Sequence, residues 1–152
     1  MRNEDCEVNK ERRFWLSVLA RAHLRSLEAQ WATLEPKPEC RYLRTPEVGM
    51  AMVRGRISGS GRPFNLGEVT VTRCTVQLND GQIGCGFIQG RSKRHAELVA
   101  KFDALLQVID YQKELMEKLI QPMHRVWQAQ QARHKAEVSA TKVDFFTLLR
   151  GE

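Results

Sequence analysis

No stretch of this chain approaches the roughly 20 consecutive apolar residues needed to cross a bilayer. No apolar signal core follows the charged start Met1–Arg13, which argues against a secretory leader. Cysteine is scarce and unpaired: Cys6, Cys40, Cys74 and Cys85 form no C-x-x-C. The paired thiolates of a zinc ribbon or finger are therefore missing, and no metal site is expected. With nothing pointing to export, the four thiols read as free groups in a reducing, cytoplasmic setting. Acidic residues are few in the middle of the chain. Between Arg41 and Arg94 stand three acids (Glu47, Glu68, Asp80) against nine Lys or Arg residues.

That imbalance equals the net charge of the whole chain, +6, so the remainder is balanced. A middle region this basic implies an anionic partner: a phosphate ligand, a nucleic acid or an acidic protein surface. The 152 residues suit one domain able to bury a core without staples. A hydrophobic share of 42% argues against disorder.

Phe14, Trp15, Val18, Leu19 and Ala22 recur at helical spacing, with Asn9 as a candidate N-cap. Leu24, Leu27, Trp31 and Leu34 give a second short helix, stopped by Glu35-Pro36-Lys37-Pro38. Val48–Ile57 reads as a strand and Ser58-Gly59-Ser60-Gly61 as a turn. Val69–Leu78 is a Val/Thr-rich strand whose apolar alternation changes phase, which predicts a bulge near Thr72 or Arg73. Asn79-Asp80-Gly81 marks a hairpin into Ile83–Ile88. A helix from about Lys93 to Ile120 would be roughly 40 Å long and outreach a small sheet. Pro122 is expected to begin a new segment. The fold class is α+β: N-terminal helices, an antiparallel meander of three or more strands, then long C-terminal helices.

Gly90-Arg91-Ser92-Lys93-Arg94-His95 sits where a strand hands over to a helix, with Ser92 as N-cap. Acids are favoured in a first helical turn, yet Arg91, Lys93 and Arg94 crowd that end of the helix. Either an anion answers them through side chains and free N–H groups, or the helix start is simply solvated. His95 reads as an anion contact or as a hydrogen-bonded helix residue. His95-Ala96-Glu97 matches the H-x-E of zinc deaminases, but no cysteine follows Cys85, so that chemistry is excluded. Gly84-x-Gly86-x-x-x-Gly90 misses the dinucleotide spacing by one residue and belongs to a hairpin, so these glycines are expected to admit a closely packed neighbour. Walker A and G-x-S-x-G motifs are absent, and no catalytic residues are identified. Arg73, inside a Val/Thr strand, points to solvent or reaches an anion or acidic partner. Val143, Phe145, Phe146, Leu148 and Leu149 form a closing apolar cluster that docks on the chain's own core or on a partner.

FWLSVLARA, FNLGEVTVTRCTVQLNDG, IQGRSKRHAELVAKFDALLQ and AEVSATKVDFFTLLRGE stand in that order over nearly the whole chain. Together they resemble the PhnG family of the carbon–phosphorus lyase system. The resemblance implies a single PhnG-like domain over 1–152, with 1–10 an unstructured start. It implies a cytoplasmic, heteromeric core complex with PhnI, PhnH and PhnJ, and PhnL for the transferase step. That machinery passes the ribose 5-triphosphate of ATP to an alkylphosphonate and releases adenine, giving alpha-D-ribose 1-methylphosphonate 5-triphosphate. MgATP would be a substrate of the complex, with no cofactor bound by this chain alone and no complete active site of its own. The competing reading from composition is a small basic RNA- or DNA-binding module. Its basic region offers few aromatics for base stacking: Tyr42, Phe64 and Phe87.

Overall fold

The computed structural model describes residues 2–141. Two helices open the chain, α1 (Arg2–Arg21) and α2 (Leu24–Thr33). Three strands follow, β1 (Cys40–Arg56), β2 (Pro63–Leu78) and β3 (Ile83–Gln89). Helices α3 (Lys93–Leu105), α4 (Ile109–Leu115) and α5 (Gln121–Ala140) complete it, with a π turn, Met116–Ile120, joining α4 to α5. The α+β order of helices, meander and helices is the one expected. Asn9 lies inside α1 rather than at its start, because the helix already begins at Arg2.

The strands form one antiparallel sheet in the order β1-β2-β3. The hairpin at Asn79-Asp80-Gly81 is as read from the sequence. Gly81 takes φ +94°, a conformation that side chains resist, and its N–H bonds the Leu78 carbonyl at 2.9 Å. The expected bulge in β2 near Thr72 is not there. From Val71 to Gln77, β2 pairs with β3 without a register shift. The irregularities lie elsewhere: in β1, at Leu43 and at Thr45-Pro46 across from Cys74, and in β2 at Leu66. A proline without a ladder donor suits such a bulge. The apparent phase change has another cause: the two apolar sets of β2 belong to opposite faces, Val71 on one and Thr72, Cys74, Val76 and Leu78 on the other.

The core lies between that second face and the helices. Trp15 and Leu19 of α1, Leu27 of α2, the inner face of α3, and Leu115, Leu119 and Ile120 all meet there. Close approach of α3 depends on two glycines of β3. A Cβ on Gly84 would overlap the Ala100 carbonyl oxygen, and one on Gly86 the Ala96 carbonyl oxygen. The expectation of a tightly packed neighbour holds, and the neighbour is the Ala96–Ala100–Ala104 stripe of α3.

The single helix expected from Lys93 to Ile120 is instead broken at Leu106–Val108. Gln107 turns its side-chain amide back to donate to the carbonyls of Asp103 and Ile83, both at 2.9 Å. This gives the end of α3 a partner for one of its last free carbonyls. Pro122 does not open a new segment either, since Ile109 to Ala140 is helical without a gap. The π turn directly before it alters the i−4 ladder where the proline ring would clash. The resulting rod is roughly 48 Å long. All of its residues from Gln128 to Ala140 are exposed.

Candidate functional site

The turn into α3 is fixed by its backbone. Gly90 has φ +102°, its N–H bonds the Thr70 carbonyl at 2.9 Å, and the buried Thr72 hydroxyl donates to its carbonyl at 2.7 Å. Ser92 then caps the helix, its Oγ accepting the His95 N–H at 3.3 Å. The four residues read as an anion site do not behave alike. Arg94 is met by acids of its own chain, Glu97 at 3.0 Å and Glu28 at 3.7 Å. The His95 ring nitrogen Nε2 lies 3.0 Å from the Leu19 carbonyl oxygen, tying α3 to the end of α1. Arg91 and Lys93 are exposed, and neither forms an ion pair among the described residues. Arg73 stands apart, on the sheet face opposite α3, where its Nε donates to Glu47 at 2.6 Å. Val143, Phe145, Phe146, Leu148 and Leu149 lie outside the described residues.

Two polar centres were not found from the sequence. Glu97 accepts from Tyr42 Oη (2.7 Å), Lys101 Nζ and Arg94 Nη1 (3.0 Å). Burial alone would raise its pKa, but the three donors outweigh it and bring it from 4.5 down to about 2. Tyr42 moves upward, first through burial and then through its bond to the carboxylate. Lys101 also lies 5.1 Å from the centroid of the Trp31 ring, which joins α2 to the same network. The Glu97–Lys101 spacing of four on one helix was the available signal.

Asp103 is the second centre and is fully buried. Arg12 reaches both its oxygens (3.2 and 2.8 Å), and the Trp15 indole N–H (2.8 Å) and Cys85 backbone N–H (2.8 Å) complete the set. The hydrogen bond to Asp103 raises the Arg12 pKa further, against the desolvation that would lower it. Through Cys85 and Ile83, whose carbonyl accepts from Arg12 and Gln107, this cluster also closes part of the free edge of β3. Cys74 is buried, which pushes its thiol up to about 11 and makes it a poor nucleophile.

An apolar cleft of about 390 Å³ opens between α2 and α5, lined in part by Ala29, Met123, Val126 and Trp127. The Arg21 guanidinium lies 4.7 Å from the Trp127 ring centroid beside it. Among the described residues no three His, Cys, Asp or Glu side chains gather as metal ligands would. No described helix is long and apolar enough to cross a membrane.

The family model for "Phosphonate metabolism protein PhnG" matches residues 10–151. The chain belongs to the PhnG family. It is 44% identical over 142 residues to the alpha-D-ribose 1-methylphosphonate 5-triphosphate synthase subunit PhnG of Rhizobium meliloti (strain 1021), covering 93% of this chain and 90% of that one. The PhnG match takes in both polar centres, the glycine-backed helix α3 and the basic turn before it. Of the aromatics considered for base stacking in this PhnG chain, Tyr42, Phe64 and Phe87 are all exposed, with Tyr42 tied to Glu97 and the Phe64 ring lying over Gly55.

Proposed function

We propose that this chain is a non-autonomous subunit of alpha-D-ribose 1-methylphosphonate 5-triphosphate synthase. It works in the cytoplasm with PhnI, PhnH and PhnJ, and with PhnL for the transferase step. The complex transfers the ribose 5-triphosphate of MgATP to an alkylphosphonate and releases adenine. The observation that carries this is the 44% identity, spread over 93% of the chain, to a subunit of that name. The side chains support a subunit role. Asp103 has four donors on its two oxygens, Glu97 has three, and the His95 ring is held by a backbone carbonyl. Groups of the types that do acid–base chemistry are thus engaged in holding the fold together.

Reconstitution tests the reading. The assembled subunits, given MgATP and methylphosphonate, should release adenine, and this chain alone should not. Leaving this chain out should reduce release to background and abolish growth on methylphosphonate as sole phosphorus source. Full adenine release by a complex lacking the chain would overturn the proposal.

A further inference from the structure

Beyond the end of β3, strands β1 and β2 continue as a two-stranded ribbon. The last β2–β3 pair is Val71–Gln89, whereas β1–β2 pairing runs on from Met50–Thr70 to Arg56–Pro63. The ribbon therefore extends by roughly 20 Å at 3.3 Å per residue. From Val48 to Thr70 no described side chain is buried. A two-stranded ribbon by itself is marginal in water, so this one is built to be covered.

Its two faces differ. Val48 and Met50 pair with Thr72 and Thr70, and Thr72 points to the side on which α3 lies. On that side β1 shows, in succession, Val48 (43% exposed), Met50 (70%), Met52 (53%), Arg54 and Arg56. The α3 start lies on the same side, since α3 packs on the face that Thr72 shares, and it is level with Met50, because the Gly90 N–H bonds the carbonyl of Thr70, which stands opposite Met50. Arg91 and Lys93 thus follow at the level of the apolar ridge, across β2 from it, and Arg54 and Arg56 stand at its tip.

Some cations of this chain are answered internally. Arg12, Arg44, Arg73, Arg94, Lys101 and Lys118 each have a carboxylate of this chain within 4 Å. Arg54, Arg56, Arg91 and Lys93 have none among the described residues. Other basic residues without a described carboxylate, such as Arg25 on α2 and Arg133 on α5, lie elsewhere, but these four border one exposed apolar ridge. An apolar centre with a charged rim is the anatomy of a protein interface. Methionine adapts to such contacts. A nucleic acid would meet Glu68 in the middle of this face, directly across from Met52, and no aromatic side chain on it. A second copy of a chain carrying +6 would bring like charge to it.

We propose that this side of the ribbon, Met50 and Met52 bordered by Arg54, Arg56 and the α3 start, grips an acid-rimmed apolar surface on another subunit of the synthase complex. The proposal rests on the subunit reading above. Its test is co-expression of the tagged chain with the other subunits of its complex, followed by recovery on the tag. Arg54→Glu with Arg56→Glu, and separately Met50→Asp, should lower the recovered complex tenfold or more with an unchanged melting temperature of the isolated chain. Arg54→Lys with Arg56→Lys should restore recovery, and Lys113→Glu on the exposed side of α4 should leave it intact.

Normal recovery with both the charge-reversed and the Met50→Asp variants would overturn the ribbon proposal while leaving the subunit reading in place. Failure of the unmodified chain to recover any subunit would instead overturn the subunit reading. Light scattering and a labelled 30-nucleotide probe at 150 mM salt exclude the other occupants. Dimerisation of the isolated chain, or tight probe binding, that is lost in the same variants would assign the face to a second copy or to nucleic acid. Either result would overturn the proposal.

Discussion

The Trp15 indole N–H donates to the Oδ1 of Asp103 at 2.8 Å, across 88 positions of sequence. Arg12, one helical turn earlier on α1, holds both oxygens of the same carboxylate. One buried charge thereby fixes the position of α1 against α3 and, through the Cys85 N–H, against β3. Replacing Asp103 with Ala would leave a guanidinium, an indole N–H and a backbone N–H without their acceptor. Breaking a buried pair from one side costs about 3–5 kcal/mol. The isolated Asp103→Ala chain should therefore unfold at much lower urea, with the midpoint read by circular dichroism. A change below about 1 kcal/mol would mean that water replaces the carboxylate at little cost.

Nothing around Asp103 in the sequence announces this role. Its partners stand 91, 88 and 18 positions away, and the residue is the one polar member of the set that α3 buries. Local chemistry was legible where the determinant was local. Asn79-Asp80-Gly81 gave the hairpin, Ser92 the helix cap, and the proline run after Thr33 the end of α2. The break at Leu106–Val108 contains neither Gly nor Pro and involves a tertiary bond from Gln107 to Ile83, so periodicity ran straight through it. Ile109, inside the helix expected from Lys93 to Ile120, is 85% exposed. The basic turn before α3 was visible as a motif. That Glu28, from another helix, would answer Arg94, and that nothing described would answer Arg91, was not.

Gly84 and Gly86 should be far more sensitive than other strand glycines. A Cβ at Gly84 would overlap the Ala100 carbonyl oxygen and stand 2.5 Å from the Ala104 nitrogen, both backbone atoms that cannot rotate away. At Gly49 a Cβ meets nothing within 4 Å. Gly84→Ala should destabilise the chain by about 3 kcal/mol or more, at or beyond the upper end of ordinary overpacking. Gly49→Ala should stay within about 0.5 kcal/mol of the parent. Urea unfolding of the two variants side by side checks the contrast. Similar midpoints would mean that α3 can slide off β3.

Glu97 predicts a pH dependence. Its pKa falls from 4.5 to about 2 on folding, so the folded chain binds this proton less readily than the unfolded one. The stability it contributes is fully present above about pH 4.5 and is lost as pH falls toward 2. Allowing for partial solvent screening, that contribution is on the order of 2 kcal/mol. Glu97→Gln should flatten the stability profile between pH 4.5 and 2. Tyr42→Phe, which removes one donor, should move the acid limb to higher pH. Unfolding curves taken at half-unit steps across this window test both. A Glu97→Gln profile parallel to the parent's would assign the acid sensitivity to other carboxylates.

Arg91 and Lys93 offer a test in which stability and assembly move in opposite directions. A cation at a helix start faces the positive end of the helix dipole, at a cost of about 0.3–1 kcal/mol. Arg94 is relieved of that cost by Glu97 and Glu28, whereas Arg91 and Lys93 have no described relief. Arg91→Gln with Lys93→Gln should therefore leave the isolated chain as stable as before or slightly more so. Arg94→Gln, by contrast, should weaken it and raise the Glu97 pKa. If Arg91 and Lys93 serve the complex, the first variant should nonetheless lower its yield or its use of MgATP. A raised KM in an intact complex would place them at the nucleotide. Reduced yield at an unchanged KM would place them at a subunit contact, as the ribbon surface beside them implies. A double variant that is stabilised, fully assembled and kinetically normal would show that the basic turn serves neither purpose, and the charge would then be an uncorrected cost to the helix.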